Sequence, residues 1–487
     1  MAKQNISKAI KDLRDTIVGK VPLPNDQVDQ ITIALLYKFM DDMDQVSLEM
    51  GGLATFFSGD YEQYSWKKIM SNSIGAQQRY NLYTEGLEKF YANPALPDTF
   101  RSIFKEARVP YRDAETLTNF LKIIDENFDY NEDSEQLGDA YELLLNILGS
   151  SGDLGMFRTP RHIIDFIVSL VEPDKEDRIL DPACGTAGFL ISAYKYILNK
   201  NLDDNGKSNL TFDEKTKILH NISGYDIAPS MVKISEMNLF LHGASEPKIY
   251  EYDTLTSDDK WGEKYECILA NPPFMTPKGG IVPHNKFSIK SSKSEILFVD
   301  YIANHLTSQG KAGIIVPDGV VFKKDKSFVN VRKELVENSL WAVISLPSGI
   351  FQPYAGVSTN ILLLDKKIAK ERNKILFCKL NNDGYSLTTK RTKIDGNEIP
   401  ELSKRILEYK NNESVEENSN IFLIDKKEIL NNSYVDLSIN IYRKEYNDSI
   451  DENLEPLETI ISRLINRNKE YNKLIKELKD LQWKEFN

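Results

Sequence analysis

Arg178-Ile179-Leu180-Asp181-Pro182-Ala183-Cys184-Gly185-Thr186-Ala187-Gly188-Phe189-Leu190 reads as a short β-strand, a glycine-bearing turn and the opening of a helix. Gly185 and Gly188 carry no side chain, so backbone amides at the helix N-terminus can approach a ligand closely. A dinucleotide site would space its glycines G-x-G-x-x-G, and this turn does not. Its ligand therefore need not carry a pyrophosphate. Many strand-to-helix turns hold glycine for steric reasons alone, so the neighbouring sequence has to decide what this one serves.

Working outward, short β-branched or apolar runs alternate with helical stretches. The candidate strands are Arg178–Ala183, Ile222–Ile227, Lys248–Asp253, Tyr265–Ala270, Gly313–Pro317, Trp341–Leu346 and Asn360–Leu364. Seven strands with intervening helices predict a doubly wound, mostly parallel α/β sheet over residues 151–400. Ligands of such sheets sit at the carboxyl ends of the strands. Upstream, residues 1–150 read as a helical domain. Val28, Ile31, Leu35, Leu36, Phe39, Met40 and Met43 recur at helical spacing, as do Leu137, Tyr141, Leu144, Leu145 and Leu148. The aromatics Phe56, Phe57, Tyr61, Tyr64 and Trp66 read as helix-packing core. Gly149-Ser150-Ser151-Gly152 marks a hinge. Downstream, 401–487 reads as a linker and a C-terminal helix, with an irregular, Asn-rich part to about 450. In the tail, Leu454, Leu457, Ile461, Leu464, Asn468, Tyr471, Ile475 and Leu478 follow a heptad seam. A coiled-coil-like docking helix and a helix packed on its own domain fit that seam equally.

Composition narrows the class. Of 487 residues, 41% are hydrophobic and 28% charged, as in a soluble globular protein. No apolar run approaches the roughly 20 residues of a membrane span. The Met1–Ile6 segment leads into charged sequence without the apolar core of a signal peptide. Cys184, Cys267 and Cys378 lie far apart with no metal-ligand spacing. These features predict a cytoplasmic protein with no metal and no membrane contact. The net charge of −12 opposes binding to a polyanion by the whole surface, so a DNA-binding reading needs a local basic patch or a partner chain.

Three carboxylates punctuate successive strand ends. Asp181 ends the first and can accept from an ammonium group. Asp226, in Gly224-Tyr225-Asp226, can hold ribose hydroxyls, although it lies farther along than the roughly 20 residues usual for that role. The polar insert Asn199–Lys215 accounts for the excess. Asp253 can accept from an adenine amino group. Singly, each acid is an ordinary strand-end cap. Before the first strand, Thr159 reads as an N-cap and Pro160 as the first residue of a helix over Ile163–Val171.

Asn271-Pro272-Pro273-Phe274 follows the fourth strand. Two prolines cannot continue a ladder, so the chain leaves the sheet in a fixed turn. That turn offers the Asn271 side-chain oxygen and the Pro272 carbonyl to one place. An exocyclic amine on a planar base could donate both hydrogens there, its lone pair turned toward a methyl sulfonium. The nitrogen becomes cationic in the transition state, and oxygen dipoles set in advance stabilise it. Phe274 can stack on the base. An Asn/Asp/Ser-Pro-Pro-aromatic tetrapeptide should arise by chance in about one or two of a hundred chains of this length. A base inside a duplex must be flipped out for such chemistry. The segment after Phe274 carries Lys278, Lys286, Lys290 and Lys293 with no carboxylate before Ser294, and Gly279-Gly280 make it pliable. It reads as a cationic loop beside the pocket, or equally as a solvated surface loop.

Together, Thr159-Pro160, Asp181–Phe189 and Asn271–Phe274 resemble the N6-adenine DNA methyltransferases, and more narrowly the modification (M) subunits of Type I restriction–modification systems. Asn238–Gly243, Gly313–Gly319 and Asp383-Gly384-Tyr385-Ser386-Leu387 support the resemblance. It implies a seven-stranded S-adenosylmethionine-dependent methyltransferase sheet, a helical N-terminal domain and a C-terminal helical tail. It implies S-adenosyl-L-methionine as cofactor, bound by Met156, Phe157, Arg158, Thr159, Pro160, Arg161, Asp181, Gly185, Thr186, Ala187, Gly188, Asp226 and Asp253. Asn271, Pro272, Pro273 and Phe274 would be catalytic. The substrate would be double-stranded DNA, read by a separate specificity (S) subunit flanked by two M chains, with a restriction (R) subunit as a further partner. Cys184 stands where Ala or Gly is ordinary in the family, with only a small packing effect expected. Methylation of a protein glutamine amide, or of cytosine N4, remains chemically compatible with the tetrapeptide. A non-catalytic binding module is the third alternative; it would predict decay of these motifs.

Overall fold

Nine strands, not seven, form the central sheet, in the order β3-β2-β1-β4-β5-β7-β6-β8-β9. They are β1 Ile179–Asp181, β2 Ile222–Asp226, β3 Lys248–Glu251, β4 Tyr265–Ala270, β5 Leu306–Pro317, β6 Leu340–Ser345, β7 Thr359–Asp365, β8 Lys374–Lys379 and β9 Ile421–Asp425. The computed structural model describes residues 2–443, apart from 50, 51, 95, 97–100, 102, 103, 106, 129–140, 143, 144, 146–158, 245, 275, 353–355, 389 and 390. The heptad tail, and most of Leu137–Leu148, therefore lie outside the described residues.

Each of the seven strands expected from the sequence is present. β1 pairs in parallel with β2 and β4, β2 with β3, and β4 with β5. β7 is the reversed strand, antiparallel to both β5 and β6. The two additional strands extend the sheet beyond β6. β8 pairs with it in parallel and β9 closes the edge antiparallel to β8. Strand β9 and the helix Ile399–Lys410 thus build ordered structure between 401 and 439, where the sequence predicts irregular linking chain. β9 escapes notice because its apolar run is short and set among Asn and Glu residues. Its partner β8 supplies the missing order: Phe422 and Phe377 stack at 5.9 Å, and both are buried.

Strands covered on both faces should be apolar throughout. β4, β6 and β7 satisfy this, with Cys267 to Ala270, Leu340 to Ile344 and Ile361 to Leu364 all buried. The N-terminal part is helical in its described residues, including α1 Ala2–Ile17, α2 Pro24–Glu49, α3 Ala76–Tyr91 and α4 Ala114–Asn127. The helical stripe on α2 from Val28 to Met40 is buried. Tyr37 gathers Phe57, Tyr83 and Phe90 within 5.6 Å of its ring, so the aromatics of this region are core.

The helices that position the cleft are α5 Arg161–Val171, α6 Gly188–Lys200 and α7 Pro229–Leu241. Phe39 of α2 meets Phe240 of α7 edge-on at 5.0 Å, which joins the helical core to the sheet layer. Among the described residues no helix is long and apolar enough to cross a membrane.

Candidate active site

The chain runs outward from β1 through β2 to β3, then returns to β4 on the other side of β1. Connections diverge at such a point and leave a crevice at the carboxyl ends of the strands. Here that crevice is a cleft of about 1000 Å³. Asp181 ends β1, Asp226 ends β2, and Asn271 follows β4 directly. The walls include Thr159, Asp181, Gly185, Thr186, Gly188, Asp226, Asp253, Asn271, Pro273 and Phe274. Residues read from distant parts of the sequence therefore share one space.

The glycine turn is held from two sides. Asp226 Oδ2 accepts from Gly185 N at 3.0 Å, and its Oδ1 accepts from Ala228 N at 2.9 Å. On the other side, α7 provides the Ser235 hydroxyl, which donates to Gly185 O at 2.5 Å, and the Asn238 amide, which donates to Thr186 O at 2.8 Å. Gly185 has a φ of +54°, and no heavy atom lies within 4 Å of where its Cβ would be. Backbone conformation, not crowding, thus favours glycine there. Cys184 is buried, with its sulfur 3.8 Å from Ser235 Oγ.

Among the described residues, the lining contains three aspartates and neither lysine, arginine nor histidine. Burial pushes the Asp181 carboxyl up to about 8, offset by its bond from Ala183 N and reinforced by Asp226. Burial also raises Asp226. Carboxylates kept in a low-dielectric wall without a counter-cation favour a ligand that brings positive charge. A pyrophosphate would be repelled. The donor set suits a compact cation carrying hydroxyls and an amine. Asp253 differs from the other two, because both of its oxygens already serve the turn at Leu255 and Thr256.

Asn271 has the most pointed geometry. Its Nδ2 donates to Thr159 Oγ1 at 2.7 Å, a contact between residues 112 apart in sequence. Its Oδ1 is buried and has no hydrogen-bond partner among the described residues. A buried acceptor left unpaired costs about 1–3 kcal/mol, so the oxygen is set for a donor brought by a ligand. Phe274 beside it meets Phe351 edge-on at 5.7 Å.

Several expectations change. Thr159 does not cap α5: the N-cap is Pro160, with no side-chain capping bond, because the Thr159 hydroxyl is taken up by Asn271. Arg161 does not line the cleft; it pairs with Glu142 at 2.5 Å and Asp165 at 3.0 Å. Pro160, Ala187 and Pro272 are also absent from the walls. Buried Ala187 instead heads α6 with a φ of +62°. Met156, Phe157 and Arg158 lie outside the described residues. Lys278, Lys286, Lys290 and Lys293 are exposed, with Lys286 paired to Asp258 at 2.9 Å.

Some walls were not anticipated. Ile227, 68% exposed beside Asp226, and Val282, 86% exposed, both face the cleft. An apolar residue left in water next to an acidic strand end was the signal available for Ile227. Ser235 carried none, and Asn238 entered only within the stretch Asn238–Gly243 that supports the resemblance; both act through backbone carbonyls about fifty residues away. Among the described residues no group of three or more His, Cys, Asp or Glu could hold a metal.

A mostly parallel sheet of this order, with β7 reversed inside it and β9 reversed at its edge, and an acid-lined cleft at the switch point, resembles the fold of the S-adenosylmethionine-dependent methyltransferases. A profile of the N-6 DNA Methylase family matches residues 132–451, and the chain belongs to that family. It is 27% identical over 389 residues to the Type I restriction enzyme EcoEI methylase subunit of Escherichia coli, covering 74% of this chain and 75% of that one. To the EcoKI methylase subunit of Escherichia coli K12 it is 28% identical over 344 residues, covering 67% of this chain and 63% of that one. The fold is shared with the crystal structure of a modification subunit of a type I restriction enzyme from Vibrio vulnificus YJ016. The TM-score is 0.69 at 22% identity, over 88% of this chain and 93% of that one.

Proposed function

We propose that this chain transfers a methyl group from S-adenosyl-L-methionine to the N6 amine of an adenine flipped out of double-stranded DNA. On this reading it serves as the modification subunit of a Type I restriction–modification complex, with sequence specificity supplied by a separate S subunit. The observation that carries it is Asn271, a wall residue of the cleft whose Oδ1 is buried without a hydrogen-bond partner among the described residues, in a lining whose described charges are carboxylates. Membership of the N-6 DNA Methylase family favours adenine over a glutamine amide or cytosine N4.

The cofactor supplies an electrophilic methyl group on a sulfonium. Asp181 would hold its ammonium, Asp226 its ribose hydroxyls, and Asp253 would lie near its adenine. Gly185 to Gly188 leave room for it. Asn271 Oδ1 would accept from the target amine and stabilise the positive charge that grows on nitrogen; the Pro272 carbonyl, which lies behind the cleft wall, would have to be exposed by the incoming base to join it. Thr159 keeps the amide from presenting its NH2 instead. Phe274 would stack on the base. The exposed lysines 278, 286, 290 and 293 offer phosphate contacts that the acidic total does not.

Two M chains per S subunit, an R subunit and docking through the 454–482 heptad belong to the same proposal. It is tested by methyl transfer from labelled cofactor to unmethylated DNA, with and without the S subunit, followed by nucleoside analysis. N6-methyladenine formed with the partner supports the reading. Cofactor binding without transfer to DNA under either condition overturns it.

A further inference from the structure

The stretch Asp383-Gly384-Tyr385-Ser386-Leu387 follows β8 and none of it lines the cleft. Yet Asp383 is only 1% exposed, and an isolated buried carboxylate is costly unless it is paired. Its Oδ2 is reached by two donors. One is His162 Nε2 at 2.8 Å, which must carry the proton because a carboxylate only accepts. The other is the Arg391 guanidinium. Burial alone would raise this carboxyl; the bonds from His162 and Arg391 bring it below its usual value. The Tyr385 ring stacks on the His162 imidazole at 4.5 Å with 23° between planes.

Each partner leads toward the Asn271–Phe274 turn. His162 stands in the first turn of α5, three residues past Thr159, whose hydroxyl holds the Asn271 amide. Arg391 Nη1 donates to Ile350 O at 2.7 Å, next to Phe351, which meets the Phe274 ring. The loop also lies against the segment that carries Phe351: Gly349 has a φ of +89°, and a Cβ there would lie 3.3 Å from Leu387 O. Both ends of the tetrapeptide are thus steadied by segments tied to one buried carboxylate.

We propose that Asp383 is a positioning residue: through His162 and Arg391 it fixes Thr159 and Phe351, and so sets Asn271 and Phe274 against the target base. The inference rests on the methyl-transfer reading above, and on an outer contact holding a reacting group to sub-ångström tolerance.

The test uses the full chain with its specificity subunit. In Asp383→Asn and Arg391→Gln, kcat with labelled cofactor and DNA is expected to fall tenfold or more, since small misplacements carry large rate penalties. The dissociation constant for cofactor, measured by calorimetry, should stay within about twofold, because neither residue touches the cleft. Hydrogen–deuterium exchange should rise in peptides covering 159–163 and 347–352 but not 179–190. The double variant should be no slower than the worse single one, as expected of residues acting as a unit. Tyr385→Leu keeps the ion pair and should give the same pattern at smaller amplitude; it serves if Asp383→Asn does not fold. Wild-type kcat in the single variants, or exchange rising uniformly across the sheet, overturns the proposal. Should the wild-type complex transfer nothing to DNA, the function reading fails, while the exchange pattern still decides the clamp.

Discussion

Asn271 is held from its nitrogen end: its amide nitrogen donates to Thr159 at 2.7 Å, while its oxygen is buried without a partner among the described residues. The orientation of a side-chain amide is thereby fixed before any substrate arrives. Asn271→Ala removes the acceptor and is expected to lower methyl transfer by on the order of 10²–10³, the usual cost of deleting one such dipole. Cofactor affinity, followed by calorimetry, should change little. Parallel loss of both would mean that Asn271 serves the cofactor and not the amine.

Thr159→Val removes the hydroxyl and frees the amide to turn over. A drop in kcat of roughly tenfold is expected, equivalent to about 1.4 kcal/mol. Thr159→Ser, which retains the acceptor, should transfer at nearly the wild-type rate. Equal rates in all three proteins would remove orientation from the account.

These two residues also mark what was legible in the sequence and what was not. Strands such as β4, β6 and β7 were visible because burial on both faces demands continuous apolar runs, as in Ile361 to Leu364. Asp181, Asp226 and Asn271 were visible because strand ends at a switch point are where ligands sit. β9 was not, since a five-residue strand at a sheet edge leaves little periodicity among polar neighbours. Nor was the contact between Thr159 and Asn271: the signals at Thr159 were those of a helix cap, and only the folded chain shows its hydroxyl taken elsewhere.

On the proposed reading, Asp181 makes cofactor binding depend on pH. Its carboxyl is pushed up to about 8, so below that pH it is mostly neutral. A cationic ligand needs the charged form, so affinity should rise from pH 6 toward 8 by up to about tenfold per unit and then level off. Asp181→Asn should flatten the profile. The sign for stability is opposite. An acid whose folded value is raised contributes most below its unfolded value of 3.8, and that contribution is lost as pH rises toward 8. Equilibrium titration and denaturant unfolding across this range check both halves. An affinity independent of pH in the wild type would place the ammonium elsewhere.

Arg332 is wholly buried and donates to the carbonyls of Val320, Lys323, Tyr434 and Val435. Arg332→Ala strands four acceptors and should cost about 3 kcal/mol or more. The expected readout is a lower unfolding midpoint in denaturant, with an unchanged slope. A variant as stable as wild type would show that water replaces the guanidinium without loss.

The carboxylate-only lining has a consequence for turnover. Giving up a methyl group from a sulfonium leaves a thioether, so the spent cofactor carries one positive charge fewer than the one that entered. On the proposed reading, walls bearing Asp181, Asp226 and Asp253, with no cation among their described residues, attract the product less than the reactant. The same charges that draw in the methyl donor thus assist its departure, and product inhibition should deepen as those acids are neutralised.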